Sequence, residues 1–310
     1  MSIPGNGFDA SDNNGEILIA NWPVKAYYTP DAVQNYKIGN TNYIVTANEG
    51  DEKDLSGFSE RTTVGASTYT LDPAVFPQAS VLKASYNLGR FRVSNATGNT
   101  DGDADFEEMA ALGARSFSIF NADTRQIVYD SGDRFERYIA ANHPLIFNAD
   151  NESNTVKSRS RAKGPEPEGI ALGNINGQTY AFITLERTGG VMVYNITDPN
   201  NPTFTDYKHS RMTSAYGGDN GPEGITYIAP SNTTTGKGYV IVANEISGTL
   251  SMYEVAGANT LATGEVKTEK PTFNMFPNPV AKGNTLYFNR AQDYELYDMS
   301  GKLLSKEKMH

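Results

Sequence analysis

The chain has 310 residues, Lys+Arg 26 against Asp+Glu 36, a formal net charge of −10 and 38 % hydrophobic residues. That allows a real core in one large domain or two ordinary ones, and the acidic balance excludes the basic footprint of a nucleic-acid binder. Zero Cys excludes disulfides, zinc–thiolate sites and cysteine nucleophiles, while 29 Gly and 15 Pro exclude a bundle of long helices.

The first residues, MSIPGNGFDASDNNG, carry no basic stretch followed by an apolar one, so no signal peptide is read there. No run of about 18 apolar residues occurs anywhere, so no transmembrane helix is expected. Trp22, before Pro23-Val24 and Tyr27-Tyr28, predicts a packed aromatic cluster more than a ligand platform. Short β-branched and aromatic runs predict strands at Tyr43–Thr46, Ser116–Phe120, Tyr180–Thr184, Val191–Tyr194, Tyr239–Val242 and Leu250–Tyr253, with Gly-, Asn- and Asp-rich turns between them. Helix is expected only at Asp105–Leu112 and Arg134–Ala141. Glu52 to Val81 reads as an excursion loop, and Asn148 to Lys163, almost without apolar residues, as surface.

Three segments repeat. Each opens with Pro, an acid and a small or apolar pair, and ends in a strand that delivers a Glu. They run from Pro30-Asp31 to Asn48-Glu49-Gly50, from Pro167-Glu168-Gly169 to Leu185-Glu186-Arg187, and from Pro222-Glu223-Gly224 to Asn244-Glu245. Strand-rich repeats of about 40–50 residues mark propeller blades. The expected fold is therefore all-β: a β-propeller portion of four to six blades, then a small β-sandwich-like module. The expected domains are 1–258 for the propeller-like part, 259–271 for a charged linker and 272–310 for the module.

Two groups of acids could carry chemistry. Asp101, Asp103 and Asp105, closed by Glu108, alternate in a Gly-containing loop and suit Ca²⁺, which takes about 6–8 hard oxygen ligands. Asp31, Glu49, Asp51, Glu166, Glu168, Glu186, Glu223 and Glu245 form the second group. Blade equivalence would gather them in one ring, which repels itself unless it holds cations. Either Ca²⁺ or another divalent metal sits there, or Arg159, Arg161, Lys163, Arg187 and Arg211 interleave. If the ring is catalytic, Glu168, Glu223, Arg187 and Arg211 are the candidates, acting with metal on a phosphate-bearing ligand. His143, His209 and His310 lie far apart with no metal-binding spacing, so no zinc site is expected.

These residues resemble the choice-of-anchor I family. The resemblance is carried by Trp22-Pro23-Val24, Thr46-Ala47-Asn48-Glu49-Gly50-Asp51, Gly113-Ala114-Arg115-Ser116-Phe117, Gly164-Pro165-Glu166-Pro167-Glu168-Gly169 and Val242-Ala243-Asn244-Glu245. It covers roughly residues 4–256. It implies a propeller-like domain of secreted or outer-surface bacterial proteins, some of whose relatives are called alkaline phosphatases or phytase-like. A metal-dependent phosphomonoesterase, with Arg115, Arg187 or Arg211 holding phosphate, is the alternative to a Ca²⁺-binding surface module. Phe276-Pro277-Asn278-Pro279 and Leu296-Tyr297-Asp298-Met299-Ser300-Gly301-Lys302-Leu303 resemble the C-terminal sorting domain of the type IX secretion system of Bacteroidetes. The secretion machinery would then be a partner. The bare start and short tail are read as those of a fragment.

Overall fold

The computed structural model describes residues 5–259, 275–276, 287–288, 294–297 and 302–307. The chain divides into a unit of Met1–Thr260 and a unit of Leu261–His310. No helix among the described residues is long and apolar enough to cross a membrane.

The first unit is built on four small sheets. Sheet 1 orders its strands as Val24–Ala26, Met109–Ala111, Arg92–Ser94 and Arg61–Thr63. Sheet 2 orders them as Gln126–Asp130, Ser116–Asn121, Thr41–Asn48 and Ala32–Ile38. Sheet 3 is the antiparallel meander Pro167–Ile175, Gln178–Leu185, Val191–Asn195 and Thr203–Lys208. Sheet 4 is Pro222–Ile228, Lys237–Asn244 and Thr249–Asn259. The all-β class read from the sequence holds. The sheets are separate and none closes on itself.

Period-2 alternation places the core. In Ser116-Phe117-Ser118-Ile119, Phe117 and Ile119 join the largest apolar cluster, while the serines turn to polar partners on the opposite face. That cluster joins sheets 2 and 3 through Val45, Ala47, Ile170, Ile183, Leu185 and Tyr194. The helix Arg134–Asn142 adds Phe135 and Ile139. A second cluster lies under sheet 1, and Trp22 packs against it, donating Nε1–H to the Phe8 carbonyl at 3.1 Å. A third, with Ala171, Phe182, Val240 and Val242, joins sheets 3 and 4. Strand Pro167–Ile175 accordingly packs against Ala32–Ile38, Thr41–Asn48 and Pro222–Ile228. The three opening strands of the repeat are neighbours.

Three expectations change. Residues 105–112 are not helical: Met109–Ala111 pairs parallel with Val24–Ala26 and antiparallel with Arg92–Ser94. The excursion 52–81 contributes the edge strand of sheet 1 and a hairpin, Asp54–Leu55 with Phe58–Ser59. Residues 148–163 are not all surface. Asn148, Asn151, Lys157 and Ser160 are buried, because their polar groups pair with buried charges.

The second unit contains two short ladders, Met275–Phe276 with Tyr287–Phe288 and Tyr294–Tyr297 with Leu303–Glu307. Of the expected linker 259–271, residue 259 ends strand Thr249–Asn259 and residues 260–271 lie outside the described residues, as do Pro277-Asn278-Pro279 and residues 298–301.

Candidate functional site: carboxylates where the repeats meet

Each repeat positions two acids. The first sits where the opening strand begins. Asp31 N–H donates to the Ala47 carbonyl and so starts the ladder of sheet 2. In sheet 3 the register shifts between Pro167 and Ile170, and in sheet 4 between Pro222 and Gly224. Glu168 and Glu223 therefore lie on β-bulges, which turn a side chain away from the ladder's alternation. Gly169 is required here. A Cβ on it would stand 2.6 Å from the Glu223 carbonyl oxygen, so only glycine lets the two opening strands approach.

The second acid follows the end of the next strand. The preceding Asn anchors that end in sheets 2 and 4. Asn48 Nδ2 donates to Ser118 Oγ at 2.7 Å and to Ser116 Oγ at 3.1 Å, and both serines donate to Asp130. Asn244 Nδ2 repeats this with Ser251 Oγ at 2.8 Å, and Ser251 and Thr249 donate to Asp219. The Asn locks the strand end, and the Glu beside it projects past the sheet.

The result is a chain of carboxylates. Oxygens of Asp31, Glu49 and Glu168 lie within 4.8 Å of one another; so do those of Glu49, Glu166 and Glu186, and those of Glu186, Glu223 and Glu245. Seven of the eight acids expected to converge do so. Asp51 does not: it is exposed and lines a separate groove with Tyr27, Thr29 and Lys53.

The countercharges are distributed unevenly. Glu166 has no exposed surface and takes most of them. Arg159 binds it through Nε at 2.9 Å and through a second nitrogen, Lys163 lies at 3.1 Å and Arg187 at 3.2 Å. Lys163 also pairs with Glu49 and donates to the Gly50 carbonyl at 2.8 Å. Arg187 also approaches Glu186 at 3.3 Å, and Asn151 donates to Glu186 at 2.8 Å.

Ionisation follows that distribution. Burial would raise Glu166, but Arg159, Lys163 and Arg187 outweigh it and hold the carboxyl at about 2. Burial pushes Glu49 up to about 8, against the pull of Lys163. Burial, a hydrogen bond shared with Asp31 and the charge of Glu49 push Glu168 up to about 9. Burial and Glu166 push Glu186 up to about 7, and burial and Glu245 raise Glu223. The site holds more carboxylates than its cations neutralise.

The other candidates separate. Arg161 pairs with Asp12. Arg211 is 3 % exposed and spends its guanidinium on the carbonyls of Arg187, Thr188, Asp150 and Ser153 and on Asn154 Oδ1. Arg115, also 3 % exposed, binds Glu136 and the carbonyls of Asp9, Ser160 and Ala162. Neither guanidinium is open to a phosphate, because tertiary folding commits both to crossing points of the chain.

In the acidic loop Glu107, rather than Glu108, brings an oxygen to the aspartates. Oxygens of Asp101, Asp103 and Glu107 gather within 4.8 Å, as do those of Asp72, Asp105 and Glu107. Thr100 binds Glu107 Oε2, while Glu107 Oε1 is buried without a hydrogen-bond partner. Glu108 turns instead to Lys25 on the surface. Such exposed pairs contribute about 0–1 kcal/mol. Glu108→Gln is therefore expected to shift urea-unfolding stability by less than about 1 kcal/mol. A larger loss would mean that Glu108 does more than pair with Lys25.

Sequence reasoning missed the buried support of the site. Asp9 accepts from Ser160 Oγ at 2.6 Å and lies 3.3 Å from Lys157, and Glu136 accepts from Asn148 at 2.7 Å. Arg115, Asn148, Lys157 and Glu166 all have left-handed backbones, at φ 60°, 43°, 68° and 55°. Such strain costs about 1–3 kcal/mol per residue and persists only where the surroundings enforce it. Nothing in residues 148–163 signals this except charge without apolar neighbours.

Residues 1–199 match the choice-of-anchor I domain. The chain is similar to Gigasin-3a of Magallana gigas, at 27 % identity over 210 residues, which cover 62 % of this chain and 74 % of that protein. It is also similar to a mesenchyme-specific cell surface glycoprotein of Strongylocentrotus purpuratus, at 25 % identity over 286 residues. That match covers 81 % of this chain but 34 % of the glycoprotein, so the chain spans about a third of that relative's length. The family match takes in the first two repeats and the carboxylates they deliver, and with it the chain belongs to the choice-of-anchor I domain family.

Proposed function

We propose that the chain is a secreted or cell-surface module, built as part of a β-propeller, that binds divalent cations, Ca²⁺ foremost, where its repeats meet. In this reading sheets 1–4 are successive blades, and the opening strands of the repeat line the axis. Family membership and the similarity to a cell surface glycoprotein of Strongylocentrotus purpuratus support a surface location. The convergence of Asp31, Glu49, Glu168, Glu186, Glu223 and Glu245 carries the cation reading.

The donor set fits such an ion. Every candidate ligand is a carboxylate oxygen, the donor that Ca²⁺ prefers. Carboxylates pushed up to about 7 to 9 are groups whose negative charge is under-compensated: Lys163 and Arg187 offset burial only in part at Glu49 and Glu186, and Glu168 faces other acids. A divalent cation supplies the missing charge. Asp101, Asp103, Asp72 and Glu107 offer a second, more exposed set with the same chemistry. The phosphomonoesterase alternative loses two of its three phosphate-holding arginines, Arg115 and Arg211, to the structural roles above.

Calorimetry with Ca²⁺ and Mg²⁺ tests the proposal. Ca²⁺ is expected to bind with measurable heat, and Glu168→Gln or Glu223→Gln to weaken one event at least tenfold. Absence of heat and of any melting shift at millimolar Ca²⁺ would refute it. Export by the type IX system, with residues 272–310 as the address, belongs to the same proposal. A reporter fused to those residues should reach the surface of a Bacteroidetes host only when that machinery is intact.

A further inference from the structure

The two histidines His143 and His209, 66 residues apart in sequence, meet in the fold. His143 follows the helix Arg134–Asn142, its N–H tied to the Ile139 carbonyl at 2.8 Å. His209 follows the outer strand of sheet 3, Thr203–Lys208. His209 Nε2 stands 3.2 Å from His143 Nδ1. The rings are nearly perpendicular, with centroids 5.0 Å apart.

Both rings are held. Tyr207 packs edge-on to His143 at 5.0 Å and tilted against His209 at 5.4 Å, and Tyr138 lies 5.9 Å from His143. His209 Nδ1 is 3.1 Å from the Arg211 carbonyl. A carbonyl can only accept, so Nδ1 carries the proton and Nε2 carries the lone pair. A backbone carbonyl on the far nitrogen is the usual way a metal-binding imidazole is oriented.

We propose that His143 Nδ1 and His209 Nε2 form a two-imidazole site for a borderline first-row cation: Zn²⁺, Cu²⁺ or Ni²⁺. Two nitrogens at about 2.0–2.1 Å from a tetrahedral ion stand about 3.3–3.4 Å apart, and the observed separation needs an adjustment of one or two tenths. Both residues are half-buried, so solvent reaches the pair and water completes the coordination. Burial lowers the pKa of both, which keeps the imidazoles neutral near pH 7, and without metal His143 Nδ1–H donates to His209 Nε2. Binding moves the His143 proton to Nε2 by tautomerisation, with no net proton change. The nearby Arg211 guanidinium is turned to the carbonyls named above. Imidazole selects these metals over Ca²⁺, so the site differs in ligand class from the carboxylates.

The test is calorimetry of the full chain with Zn²⁺ in excess Ca²⁺, which keeps the carboxylate sites occupied. One additional event of stoichiometry near one is expected. It should weaken at least tenfold in His143→Ala and in His209→Ala and stay unchanged in His310→Ala, with melting curves confirming folding. Pulsed electron paramagnetic resonance of the Cu²⁺-loaded wild-type chain should show two imidazole nitrogens, and it decides the matter if a variant fails to fold. Absence of the event in wild type, its persistence in the double variant, or a Cu²⁺ spectrum without two imidazoles would overturn the proposal. Normal Zn²⁺ binding without any Ca²⁺ effect would sink the carboxylate reading alone.

Discussion

Glu166→Gln is expected to destabilise the chain by about 3–5 kcal/mol in urea or thermal unfolding, the cost of removing one partner from a buried ion cluster. Glu166 is fully buried and faces Arg159, Lys163 and Arg187. Without its charge, three cations remain crowded around a neutral amide. Glu168→Gln, two residues along, should act in the opposite direction. Glu168 faces Asp31, Glu49 and Glu223, all acids. A neutral amide there removes the cost of protonating Glu168 on folding, so the melting temperature measured in chelator near pH 7 should rise. If Glu168 is a ligand as proposed, the same change should also reduce the stabilisation by Ca²⁺. Equal destabilisation by both substitutions would mean that the carboxylates only cap turns and tie sheets together.

Stability of the cation-free chain should fall on either side of a maximum near pH 5. Glu49, Glu168 and Glu186 have folded values of about 8, 9 and 7, above their ordinary value of 4.5. Their contribution is fully present below about pH 4.5 and is lost as pH rises toward 9. Glu166, at about 2, has the opposite sign: its contribution is present above about pH 4.5 and is lost as pH falls toward 2. Ca²⁺ competes with protons for the raised carboxylates, so its effect should be small at pH 5 and large at pH 8. At a hundred times the dissociation constant a ligand stabilises by about 2.7 kcal/mol. For a unit of this size that is about 5–10 °C in melting temperature. Melting curves at pH 5 and pH 8, with chelator and with Ca²⁺, measure it. An increment independent of pH would detach the cation effect from these groups.

The acids were legible in the sequence because they recur in register with the apolar pattern, from Asp31 to Glu49, Glu168 to Glu186 and Glu223 to Glu245. A strand's start and end are fixed by its ladder, so equivalent positions project alike. The support was not legible. Residues 148–163 look like a solvated loop because ion-paired and hydrated polar side chains have the same composition. Only the tertiary position of Asp9, Glu136 and Glu166 makes Lys157, Asn148 and Arg159 buried partners. Residues 105–112 look helical because Phe106, Met109, Ala110 and Leu112 fit a helical stripe. Pairing of Met109–Ala111 with Val24–Ala26 overrides that local preference. The meeting of His143 with His209 depends on how the helix docks on sheet 3, which no spacing encodes.

We propose that a divalent cation belongs among the converging carboxylates. Crystals of the chain grown in Ca²⁺ and exchanged with Mn²⁺ test it most directly, by anomalous difference maps collected near the manganese edge. A peak is expected bonded to oxygens of at least two of Asp31, Glu49 and Glu168, or of Glu186, Glu223 and Glu245, with Ca²⁺–oxygen distances of about 2.3–2.6 Å before exchange. A flat map there at saturating cation, with only water or Lys163 and Arg187 between the carboxylates, would contradict it.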